Sequence, residues 1–124
     1  MVRSIGLDIV EVDRVAGDID RFGRRFVNRL LGPVELDVFD RRRDKAAFLA
    51  GRLAAKEAVI KALGYYLETR PRYRDMQIIS AEGGAPTLVL PREVQIRLGR
   101  AQCLLSLSHE RHYAAAVAVL QEEP

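Results

Sequence analysis

Residues 48–64 read FLAGRLAAKEAVIKALG. Length, alanine content and the closing Gly64 predict a helix that stops at the glycine. At about 100° per residue its apolar positions fall nearly all the way round, so the helix is expected in the middle of the molecule. Arg52, Lys56, Glu57 and Lys61 interrupt it. Charge beside buried surface costs free energy unless something pairs with it, so these side chains need partners.

Arg52 and Lys56 are spaced i, i+4, and so are Glu57 and Lys61, which places each pair on one helix face. If exposed, Glu57–Lys61 is only an ion pair worth about 0.3–0.5 kcal/mol. Ala54, Ala55, Ala58 and Ala62 leave little bulk around it, however, and another element is expected to lie close. Arg52, Lys56 and Lys61 against Glu57 leave surplus positive charge, which a bound polyphosphate would neutralise. A divalent metal between Glu57 and a second carboxylate fits beside it, because hard oxygen ligands suit Mg²⁺. Asp8 is the candidate for that second carboxylate.

Outward from the helix, residues 3–9, RSIGLDI, alternate as a strand with Ile5, Leu7 and Ile9 on one face and Gly6 and Asp8 on the other. Residues 12–31 are helical with a break at Gly17 or Gly23, and Gly32-Pro33 opens a short helix, VELDVFD. The RRRD cluster at 41–44 is a charged turn, and residues 65–75 an irregular connection. MQIISA at 76–81 and TLVL at 87–90 form a hairpin around Gly83-Gly84-Ala85-Pro86. A helix, PREVQIRL, runs to Gly99, and the strands CLLSLS at 103–108 and YAAAVAVL at 113–120 follow, joined by HERH. This order predicts an α+β fold: a small mixed or antiparallel sheet, one long central helix and several shorter helices. The chain of 124 residues is expected to be a single domain, 1–124.

A net charge of +3 favours an anionic partner, mildly. The single cysteine, Cys103, excludes an internal disulfide and suggests a reducing, cytoplasmic setting. No apolar run reaches membrane-spanning length, and MVRSIGLDI carries charge too early for a signal peptide. Residues 13–31 set Arg14, Arg21, Arg24 and Arg25 among Phe22 and Phe26. Such a basic amphipathic helix is either a core-packing face with a solvated back or a docking surface for an acidic helix or nucleic acid. A nucleic-acid-binding module is thus a competing reading, opposed by seventeen acidic residues and the lack of a recognised motif. His109 ends the strand that carries Ser106 and Ser108. It is either a turn residue or a group set beside phosphate or accepting a proton. His109 and His112 have no third ligand at metal-site spacing.

The segments IGLDIVEVDR (5–14), RFVNRLLGPVEL (25–36), FLAGRLAAKEAVIKALG (48–64) and SLSHERHYAAAVAV (106–119) together resemble the holo-acyl-carrier-protein synthases. These are the short, single-domain 4′-phosphopantetheinyl transferases. The resemblance implies transfer of the phosphopantetheine arm of coenzyme A to a serine of apo acyl carrier protein, for fatty acid biosynthesis. Adenosine 3′,5′-bisphosphate is released. It implies Asp8 and Glu57 as Mg²⁺ ligands and Lys61 as a charge stabiliser at the pyrophosphate. Glu57 either orients or deprotonates the serine, directly or through water. It implies Arg52 and His109 as coenzyme A phosphate ligands, or His109 in proton transfer. Lys56, Ser108, Phe48 and Pro86 belong to the same motifs, the last three with the coenzyme. The acidic carrier protein would meet Arg14, Arg21, Arg24, Arg25, Phe22 and Phe26. Short members are homotrimers with active sites between subunits, and the doubly apolar YAAAVAVL fits a subunit contact. The chain departs from the family at Asp44, where a basic residue is usual, at Ala85, where lysine is usual, and at Tyr65 and Tyr66, where small residues are usual. An inactive paralogue that only binds coenzyme A or carrier is a third reading, which the retained Asp8, Glu57 and Lys61 oppose.

Overall fold

The computed structural model describes residues 1–80 and 84–123. Ala81 at the end of the expected MQIISA strand and Gly83 of the expected hairpin turn lie outside the described residues. The chain runs β1 (Val2–Glu11), α1 (Val12–Phe22), α2 (Arg24–Leu30), α3 (Pro33–Arg41) and α4 (Lys45–Leu63). It continues through β2 (Gln77–Ser80), β3 (Pro86–Val89), α5 (Arg92–Leu98), β4 (Gln102–His109) and β5 (Tyr113–Gln121). One antiparallel sheet has the order β1-β5-β4, and β2-β3 is a separate hairpin. The α+β architecture expected from the sequence is what the chain forms.

The break in the first helical region falls at Gly23, where φ is 66°, not at Gly17. Gly64 does not end α4 in the left-handed conformation. Its backbone stays right-handed and continues into a short 3₁₀ turn, Gly64–Tyr66. The irregular connection contains a second such turn, Tyr73–Asp75.

Helix α4 lies across the sheet and is almost wholly enclosed. Ala54, Ala55, Ala58 and Val59 have no exposed surface, and they pack with Ala116, Ala118 and Leu120 of β5. Its first half packs with α1, α2 and α3 through Leu49, Ala50, Val15, Val27, Leu31 and Phe39. Small residues on both sides bring helix and sheet unusually close. A Cβ added to Gly6 would stand 1.9 Å from the Ala58 carbonyl oxygen and 2.8 Å from the Ala62 nitrogen. The Ser4 hydroxyl donates to the Ala62 carbonyl on the same face.

The face of β1 that meets α4 is therefore the small, polar one. Ile5, Leu7 and Ile9 point the other way and are 62–64% exposed. The register aligns Ile5 with Val119 and Leu104, and Leu7 with Val117 and Ser106. The sheet thus turns an apolar second face outward, a distribution typical of surfaces that meet a partner.

Gly6→Val puts side-chain atoms where the α4 backbone stands. Overpacking of this kind costs about 3 kcal/mol. Urea unfolding should show the variant destabilised by roughly that amount, with the loss visible as a lower midpoint.

Candidate active site

Lys56 is the most buried charge in the chain, with a side chain 0% exposed. Its ammonium donates to the Leu30 carbonyl at 2.6 Å, the Glu35 carboxylate at 2.6 Å and the Tyr73 carbonyl at 2.9 Å. That uses every N–H of an ammonium. Glu35 Oε1 also accepts from the Gly32 N–H at 3.0 Å, closing the first turn of α3, and Oε2 from the Ile78 N–H at 3.1 Å. Burial pushes the Lys56 ammonium down from the usual lysine range, and Glu35 opposes that shift. Lys56 is therefore neutralised inside the protein. The surplus positive charge inferred from the helix does not include it.

Glu57 and Lys61 do not pair with each other, despite their spacing. The Lys61 ammonium crosses to β1, donating to the Leu7 carbonyl at 2.9 Å and to Asp8 Oδ1 at 3.2 Å. Glu57 accepts from the Tyr73 hydroxyl and the Arg70 guanidinium. Burial, then the bond to Glu57, pushes the Tyr73 phenol up to about 12, so it remains a donor at neutral pH. Asp8 and Glu57 line one cleft of about 450 Å³, with Arg14, Val15, Phe26 and Tyr73. Two carboxylates lining one cleft are hard oxygen donors. Magnesium is commonly held by one or two carboxylates, with water and phosphate oxygens completing its shell. The donor set fits such a cation, although among the described residues no group of three or more acidic, His or Cys side chains gathers.

A second cleft, of about 360 Å³, collects Phe48, Arg52, Pro86, Ser108 and His109, together with Arg42. The Arg52 guanidinium lies 4.6 Å from the centre of the Phe48 ring and that of Arg42 at 5.2 Å. Arg42 is fixed there by Asp44, with both nitrogen–oxygen distances 2.7 Å. The carboxylate that departs from the family pattern thus positions a cation rather than removing one. Arg52 Nε is buried without a hydrogen bond, 3.7 Å from Glu35 Oε2. Desolvation lowers its affinity for the proton, partly offset by Glu35. This cleft suits an anion. Tyr65 is 94% exposed and meets Tyr66 edge-on. Ala85 is exposed.

The expected residues are thus gathered in two places. Asp8, Glu57 and Lys61 cluster near β1, and the other set clusters at the opposite flank of α4. Helical geometry dictates this: Arg52 and Glu57 are separated by about 140° around the axis. The expected docking residues are dispersed as well. Arg14 and Phe26 enter the first cleft. Phe22 is half exposed under the Arg21 guanidinium. Arg24 is held by Asp40 of α3, Nη2 to Oδ2 3.0 Å, and is not a free docking group. Arg25 opens onto a different groove. Glu35, Arg42, Arg70 and Tyr73 were not singled out from the sequence. Glu35 carried one signal, its capping-box position three residues after Gly32. The other three carried none.

The family profile of the 4′-phosphopantetheinyl transferase superfamily matches residues 4–118. A protein of Nitratidesulfovibrio vulgaris named holo-acyl-carrier-protein synthase is 44% identical over 124 residues, covering 98% of this chain and 99% of its own. The crystal structure of the Neisseria meningitidis synthase superposes with a TM-score of 0.88 at 31% identity, covering 98% of this chain and 100% of that one. The Helicobacter pylori synthase in complex with coenzyme A gives 0.79 at 32% identity, over 94% and 99% of the two chains.

Lys56→Met leaves Glu35 charged and unpaired inside the protein, which should cost about 3–5 kcal/mol. Adding Glu35→Gln removes the stranded charge. Urea unfolding should show the double variant losing less than Lys56→Met alone.

Proposed function

The chain belongs to the holo-acyl-carrier-protein synthases of the 4′-phosphopantetheinyl transferase superfamily, and we propose that it moves the 4′-phosphopantetheine arm of coenzyme A onto a serine of an apo acyl carrier protein. The observation that carries this reading is that Asp8 and Glu57 line one cleft, with Lys61 bonded to Asp8. The serine oxygen bonds to the phosphorus bearing pantetheine. The phosphoanhydride bond breaks, and adenosine 3′,5′-bisphosphate leaves with the bond's electrons. Glu57, aimed by Tyr73, is placed to orient the serine and accept its proton. Lys61 supports negative charge on the pyrophosphate. Asp8 and Glu57 would hold Mg²⁺, which when bound neutralises the dispersed phosphate charge.

The cleft with Arg52 and His109 suits the phosphates at the nucleotide end of coenzyme A, with Phe48, Ser108 and Pro86 around them. It opens on the opposite flank of α4 from Glu57. A complete site on this reading combines the first cleft of one copy with the second cleft of another. The outward apolar face of β1, β5 and β4 supplies the contact, and a homotrimer closes such a head-to-tail arrangement. No helix among the described residues is long and apolar enough to cross a membrane. With one cysteine, the cytoplasm is the compartment proposed.

Mixed with apo carrier protein, coenzyme A and Mg²⁺, the protein should raise the carrier's intact mass by one phosphopantetheine. A chelator should stop the gain. Asp8→Asn and Glu57→Gln should each slow transfer at least about 100-fold with unchanged circular dichroism. Full activity in both would displace the site. Light scattering should return the mass of three chains.

A further inference from the structure

Both carboxylates of the first cleft already carry a cation of the chain itself. The Lys61 ammonium meets Asp8 at Oδ1, 3.2 Å away. The Arg70 guanidinium meets Glu57 at Oε1, with Nη2 at 2.5 Å. The same Nη2 donates to the Tyr73 hydroxyl at 2.5 Å, and that hydroxyl donates to the same Oε1. Among the described residues no hydrogen bond reaches Glu57 Oε2 or Asp8 Oδ2, and neither oxygen is buried. Two carboxylates and two cations thus balance one another, and each carboxylate keeps one oxygen open.

The two cations are not held alike. Lys61 rises from α4 and also donates to the Leu7 carbonyl at 2.9 Å. Arg70 stands in the connection between the turns Gly64–Tyr66 and Tyr73–Asp75. Its side chain is 56% exposed, and among the described residues only Nη2 of its three nitrogens makes a hydrogen bond. Arg70 lines the neighbouring groove rather than the cleft. It reaches Glu57 past the Tyr73 ring, whose centre is 5.3 Å from the guanidinium. Tyr73 is fixed by contrast, since the Lys56 ammonium holds its carbonyl at 2.9 Å. A neutral hydroxyl can share a carboxylate with a divalent ion, whereas a guanidinium is repelled by one. Resting on the reading of Asp8 and Glu57 as cation ligands, we propose that Arg70 is a resident competitor for that cation. It occupies Glu57 until a divalent ion displaces it, and so sets how tightly the ion is held. Tyr73 stays on Glu57 and keeps the carboxylate aimed while Arg70 swings into solvent.

The test titrates the full-length protein, stripped of metal, with Mn²⁺, which carboxylates bind as they bind Mg²⁺. Electron paramagnetic resonance reads the unbound ion. Arg70→Gln should bind Mn²⁺ about three- to fivefold more tightly than wild type, the range that releasing an exposed ion pair supplies. Arg74→Gln removes a nearby cation with no carboxylate within ion-pair distance among the described residues. Its affinity should stay within about twofold of wild type. Circular dichroism checks folding, and Arg70→Ala serves if Arg70→Gln misfolds. The comparison is repeated with coenzyme A present. Equal affinity in wild type and Arg70→Gln overturns the competition and leaves the cation site standing. Weaker binding by Arg70→Gln also overturns it, since Arg70 would then be supporting Glu57 as a ligand. An equal gain in Arg74→Gln overturns it in favour of overall charge. If neither wild type nor Arg70→Gln binds Mn²⁺, with or without coenzyme A, the Asp8–Glu57 reading falls and this inference with it.

Discussion

The Lys56 ammonium has left water completely, and the surrounding architecture depends on how that charge is met. Its acceptors come from the end of α2, from α3 and from the turn at Tyr73. Glu35 extends the network to the start of β2 through the Ile78 N–H. One ion pair therefore ties together segments far apart in the chain. Buried pairs contribute little net stability when intact, but they are costly to break. That asymmetry penalises arrangements in which any of these segments is misplaced. It also reaches the candidate chemistry, because the clamped Tyr73 backbone determines where its hydroxyl meets Glu57.

The sequence disclosed the fold more readily than the wiring. The strong signals were periodic: alternation over residues 3–9, the alanine-rich run of α4 and the apolar strands after Cys103. Each produced its element with shifted ends. Gly64 marked the stop, since α4 ends at Leu63, but not as a left-handed cap: a right-handed 3₁₀ turn continues past it, and a glycine permits a left-handed cap without demanding one. Glu57 and Lys61 share a face as their spacing predicts, and the elements that the small neighbours admit, not each other, supply their partners. Asp8 and Arg70 come from elements that helix spacing cannot see. Lys56 was recognised as a charge in need of a partner, but Glu35, its counter-ion, lies 21 residues away in a different helix, where no spacing rule links the two.

The same limit explains the two clefts. Motif order along the chain gives no hint that Arg52 and Glu57, five positions apart, look toward different solvent. Helical phase separates them by more than a third of a turn. The small face of β1 then closes on the Glu57 and Lys61 side, leaving its large aliphatic side chains outside. Ser4, Gly6 and Asp8 face α4, and at Gly6 nothing larger than a hydrogen fits against its backbone. The apolar face left over is available to a neighbouring copy.

Helix α4 consequently works as a ruler. Both clefts read their orientation from its phase, and it has little slack, being packed between the sheet and the helices α1, α2 and α3. One extra residue between positions 52 and 57 would swing one end by about 100° relative to the other and push its charges into the aliphatic interior. Surface loops can lengthen or shorten over generations at small cost. This segment cannot, and insertions or deletions within it should be absent from any descendant that still works.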